Sequence, residues 1–202
     1  MVISTLLVLV CLQKTIGYET GPPVKTNNDL CKGMFPGHKV AAQQGSAPFT
    51  FKPSQKCFAL GQKVSVEIST SEKEINGLFI QARTGTFSTA VTSFGSFSSK
   101  QKNTRAYDCF SGEKNSFGHK GQIGATSLTV IWKAPETGLY SDIQIGGTVA
   151  LEKTEFWVNV FTTLKYNSSC VQEAIDENKA GSINAHIYLL AFLLASVWIV
   201  AF

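Results

Sequence analysis

Few side chains in this sequence could do chemistry. There are three histidines, at positions 38, 119 and 186. His38 and His119 could hold a metal ion together if the fold joined them. Two ligands fall short of the three or four that a zinc site takes, so each is read as a loop histidine and no metal is expected. No serine carries the flanking glycines of a hydrolase nucleophile. Gly33-Met34-Phe35-Pro36-Gly37 lacks the Lys-Ser/Thr ending of a phosphate loop and does not open a helix. The carboxylates are scattered, with no pair placed for glycoside cleavage. The expectation is therefore no catalytic residue, no cofactor and no enzyme, but a binding module.

Cysteine usage points the same way. Of five cysteines, Cys11 falls in the apolar run Met1 to Leu12, which is too short to span a bilayer and is followed by Thr15-Ile16-Gly17. That pattern predicts a signal peptide over residues 1–17, with Tyr18 as the mature N-terminus. Cys31, Cys57, Cys109 and Cys170 remain. An even count in a secreted chain implies two disulfides, with three possible pairings. At the other end, Ile187 to Phe202 is apolar but for Tyr188, Ser196 and Trp198, and no Lys or Arg follows it. At about 16 residues it is shorter than the ~20 of a spanning helix. With the small residues Ala180, Gly181 and Ser182 upstream, it matches a glycosylphosphatidylinositol (GPI) attachment signal, whose lipid attachment candidates are those three residues. A single-pass tail helix is the alternative. Residues 18–166 then form one domain, 167–184 a stalk and attachment region, and 185–202 the hydrophobic tail. The chain is expected on the outer face of the plasma membrane, or else free after secretion.

The elements that must position any site read as strands. Val64, Val66 and Ile68 alternate with polar neighbours, as do Leu128, Val130 and Trp132. Period-two runs also cover Leu78 to Arg83, Ile143 to Val149 and Phe156 to Phe161. Two or three further strands are read around Pro48 to Phe51, Phe87 to Phe97 and Arg105 to Phe110. Turn-formers separate the runs: Asn76-Gly77, Ser111-Gly112, Pro135 to Gly138 and Gly146-Gly147. No long helical period appears, although a short helix from Val171 to Asn178 is possible. Tyr18 to Asp29 reads as extended and Ser93 to Asn103 as a loop or edge, with Phe94 and Phe97 packed under it or exposed. The pattern predicts an all-β, two-sheet antiparallel sandwich, with Trp132 in its core.

The formal net charge is +4, and the basic residues are scattered, which excludes a nucleic-acid footprint. Candidate ligand contacts are Trp157, placed on the face opposite Val158, and the small basic group Lys100, Lys102 and Arg105. Phe94 and Phe97 are further candidates. Asn167-Ser168-Ser169 is an N-glycosylation acceptor just past the last strand.

The opening Tyr18 to Pro23, then Cys31, then Met34-Phe35-Pro36-Gly37-His38 resembles the start of reeler (reelin-domain) proteins. Phe79 to Arg83 is similar to that family's mid-domain strand, and Thr129 to Pro135 to its late Trp-Lys-Ala-Pro strand and turn. The resemblance spans about Tyr18 to Phe161. It implies an immunoglobulin-like sandwich and a disulfide between Cys31 and Cys109, which leaves Cys57 for Cys170. A crosslink closing a loop of about 78 residues stabilises by roughly 4–5 kcal/mol in the chain-entropy account. The family includes the N-terminal domains of reelin and spondins, ectodomains of ferric-chelate-reductase-like proteins, and small arthropod defence proteins. In size this chain resembles the defence proteins, and it has no room for haem-carrying reductase domains. The apolar tail departs from those soluble proteins. The resemblance implies recognition of microbial surface glycans in innate immunity. The alternative is adhesion to host surface or matrix components.

Overall fold

The computed structural model describes residues 21–24, 28–85, 92–173 and 175. The expected signal peptide, the attachment candidates Ala180, Gly181 and Ser182, and the apolar tail lie outside them. Among the described residues, ten strands and one short helix follow one another: α1 (Asn28–Gly33), β1 (Phe49–Pro53), β2 (Cys57–Phe58), β3 (Lys63–Thr70), β4 (Gly77–Arg83), β5 (Ser96–Ser98), β6 (Thr104–Cys109), β7 (Gly112–His119), β8 (Ser127–Lys133), β9 (Ile143–Glu152) and β10 (Glu155–Tyr166). They form a four-stranded sheet in the order β1-β3-β8-β5 and a six-stranded sheet in the order β2-β10-β9-β4-β7-β6.

The alternating runs explain why the sheets face each other. Val64, Val66 and Ile68 of β3 and Leu128, Val130 and Trp132 of β8 are buried, while their neighbours in sequence are half-buried or exposed. They meet Leu78, Ile80 and Ala82 of β4 and Ile143, Ile145 and Val149 of β9 across the sandwich. Each large apolar side chain so buried contributes about 1.5–3 kcal/mol. Trp132 sits fully inside, edge-on to Phe58 at 5.1 Å, and its indole N–H donates to the Phe94 carbonyl at 2.8 Å. Its one polar atom is thereby satisfied.

Several local expectations are corrected. All seven residues of β4 are buried, not every second one. Gly146 and Gly147 lie inside β9 rather than in a turn. Of the loop or edge expected from Ser93 to Asn103, residues 96–98 are the edge strand β5, and Phe97 packs into the core. Asn28 and Asp29, the last residues of the stretch expected to be extended, open the helix α1. Residues 171–173 and 175 are not helical. The β2–β10 pair is parallel in an otherwise antiparallel set of ladders.

Buried β4 is explained by what covers it. A second apolar cluster, Val24, Cys31, Met34, Phe79, Tyr107 and Cys109, packs on the outer face of the six-stranded sheet. Disulfides join Cys31 to Cys109 and Cys57 to Cys170. Arg83, fully buried, reaches the Cys31 and Lys32 carbonyls at the end of α1, and Gln81 donates to the Cys31 carbonyl at 3.1 Å. Those carbonyls have no partner within the helix, so the sheet supplies the donors that a helix end requires. Burial lowers the Arg83 pKa to about 10, which still leaves a cation at neutral pH.

Candidate ligand-binding site

Beyond α1 the chain continues as a strap, Met34 to His38, over the same sheet face. Gly147 explains how closely it lies. A side-chain carbon added there would sit 2.2 Å from the Met34 methyl and 2.2 Å from the Phe79 carbonyl. Only glycine leaves room for Met34 on the sheet. The neighbouring Thr148 hydroxyl donates to the Met34 carbonyl and fixes the strap. Between strap and sheet lies a pocket of about 400 Å³, within the ~300–1,000 Å³ typical of small-molecule sites. Gly77, Phe79 and Ala150 contribute to the sheet side, and Leu30, Met34 and Phe35 to the strap side.

His38 and His119 both line this pocket, so the fold does join the two histidines. His119 ends β7, and its Nδ1 lies 3.1 Å from the Leu78 nitrogen and 3.0 Å from the Leu78 carbonyl oxygen. Burial lowers its pKa, the Leu78 carbonyl offsets part of that, and the nearby His38 ring lowers it further. The His38 pKa is also lowered, first by burial, against the pull of the Lys153 carbonyl, with the Lys153 charge adding to the lowering. Both rings are therefore neutral at physiological pH. His38 also packs edge-on against Phe156 at 5.6 Å. Glu152 and Lys153 stand at the same pocket with opposite charges. Among the described residues no three His, Cys, Asp or Glu side chains gather closely enough to hold a metal ion.

Two polar atoms at this pocket lack a partner. Asn76 donates through Nδ2 to the Leu151 carbonyl at 2.8 Å, yet its Oδ1 is enclosed without a hydrogen bond, and so is Nδ1 of His38. Enclosed, unpartnered polar atoms are uncommon in native proteins, and two of them at one pocket mark it out.

The contacts expected from sequence do not converge. Lys100 and Lys102 are exposed between β5 and β6, and Arg105 is exposed on β6 with its guanidinium 4.4 Å from the centre of the Tyr107 ring. Trp157 lies on β10, four strand spacings from β6 in the sheet order, or about 19 Å at ~4.8 Å per spacing. It is half-buried rather than exposed, edge-on to Phe49 at 5.4 Å. Phe94 is partly buried against the core. Asn167 is exposed in the turn after β10. Sequence reasoning missed Asn76. Its amide type is visible in the sequence, but its unpartnered oxygen depends on Leu151 in another strand.

The family model for the Reeler domain matches residues 29–172. A protein of Antheraea mylitta named "Putative defense protein 3" is 30% identical over 76% of this chain and 88% of its own length. One of Danio rerio named "Putative ferric-chelate reductase 1" is 29% identical over 66% of this chain, and the match spans only 23% of that longer protein. The crystal structure of the Reelin-N domain of F-spondin covers 68% of this chain and 94% of its own, at 14% identity and a TM-score of 0.50, a likeness of fold alone. With the sandwich, the strap and these matches together, the chain belongs to the reeler domain family.

Proposed function

We propose that this chain is an extracellular binding module of innate defence, which recognises molecules of microbial surfaces and acts by binding rather than by catalysis. The observation that carries the reading is the apolar pocket between strap and sheet, with two polar atoms awaiting a partner. The insect relative named for defence, matched over most of its length, supports the biological setting. Two disulfides suit an oxidising, extracellular location. The proposal includes anchorage at the outer face of the plasma membrane through the C-terminal tail.

A second reading, adhesion to host surface or matrix components, is favoured by the exposed cations Lys100, Lys102 and Arg105 near one sheet edge. One experiment separates the two. Residues 18–181, secreted with disulfides formed, are tested against bacterial cells, lipopolysaccharide and peptidoglycan, and against matrix proteins, at low and high salt. Saturable microbial binding is the expected result. Binding to a matrix protein alone, weakened at high salt, would transfer the chain to the adhesion class.

A further inference from the structure

We propose that the pocket between strap and sheet takes a neutral amphiphile, with an apolar body lying on Phe79 and Met34 and a hydroxyl or amide head that donates a hydrogen bond to Asn76. The inference deepens the reading of this pocket as the binding element and rests on it.

The body follows from the walls. Phe79 and Met34 belong to the apolar cluster on this sheet face, and Leu30 packs against it. Buried apolar surface of that kind gains most from an apolar guest. The charge follows from the polar groups around it. Glu152 is paired with Lys73 at 3.3 Å, Lys153 stands at the pocket mouth, and both imidazoles are held neutral by their burial. The two atoms left without a partner, the Asn76 amide oxygen and a ring nitrogen of neutral His38, carry no charge to offset the desolvation of an ionic head, which is costly when unpaired.

The head group follows from the hydrogen-bond inventory. The Asn76 amide is oriented by its bond to the Leu151 carbonyl, so the atom left without a partner is the oxygen, which only accepts. Nδ1 of His38 donates or accepts according to tautomer. A hydroxyl donates its one hydrogen to Asn76 and accepts from His38 when Nδ1 carries the ring hydrogen, and an amide N–H donates to Asn76 equally well. An ether or a carboxylate has no hydrogen to give. Asn76 and His38 both line the pocket, and each side chain is half-buried.

The test is competition for the pocket on the secreted chain. Decanol, its methyl ether and decanoate are titrated against a bound apolar fluorescent dye, aminoanthracene, at pH 7.5. Decanol is expected to displace the dye at concentrations at least about tenfold lower than the ether or the carboxylate, the cost of one enclosed acceptor left unpaired. Asn76→Ala and His38→Phe should each shrink that ratio severalfold while leaving ether affinity within about twofold. Because the ratio is read within each protein, partial loss of fold does not mimic the effect. Equal potency of the three compounds overturns the inference, and so does a dye that fails to bind, as when the chain's own N-terminal residues fill the pocket. Microbial binding without alcohol preference sinks this inference and leaves the proposed function standing. Alcohol preference without microbial binding does the reverse.

Discussion

The ring of His119 ties β7 to β4 through Leu78 and owes its neutrality to burial. That neutrality has a consequence for acid stability. An unfolded histidine titrates near 6.5, whereas the folded His119 and His38 titrate below their ordinary value. As pH falls through about 6.5 the unfolded chain takes up protons first. Stability fully present above that point is lost as the pH drops toward the folded values. Thermal melts between pH 7.5 and 5 should show a falling Tm in the native chain and a shallower fall in His119→Gln. An equal slope in both would remove His119 from the account. At this scale the sequence was only partly informative. Trp132 was legible as core because it shares the period of Val130 in a strand with one wet face. The joining of His38 to His119 was not, because 81 residues separate them and a strap crossing the sheet closes the distance.

The strands β3 and β8 could be read directly, since each has one buried face and alternates accordingly. By the same logic β4 read as half-buried, and the logic failed because its cover comes from far away in sequence: α1, held by Cys31–Cys109 and by Arg83. Glycine pairs usually signal turns, but Gly146 and Gly147 serve close approach inside a strand, where Met34 and Phe161 crowd the backbone. The two-residue strand β2 is too short for any period to show. The cover itself is testable. Replacing Cys31 and Cys109 together by serine should lower stability in guanidinium unfolding by about 2–5 kcal/mol and should weaken dye binding in the pocket, since α1 supplies Leu30 to its wall. Full dye affinity in the double variant would show that the strap holds without the disulfide.

The class of the molecule, a two-sheet β-sandwich, was legible from runs of alternation separated by turns, and the family from motifs in order. The sheet order was not, because nothing in a strand's own sequence names its neighbours, least of all for the parallel β2–β10 pair. At this scale the anchorage proposal makes its own prediction. On cells expressing the full chain, phosphatidylinositol-specific phospholipase C should release most of the surface protein into the medium. Retention after treatment would favour a membrane-spanning tail. The Cys57–Cys170 disulfide gives the tethered arrangement a mechanical character. Cys170 lies four residues beyond the end of β10. Without the crosslink, tension from the membrane would unzip β10 from that end, one ladder bond at a time. With it, the load passes through a covalent bond into Cys57 and is shared with the chain around β2. If the anchorage proposal holds, a sandwich so fastened bears load at its C-terminal end while its outermost strands stay in register.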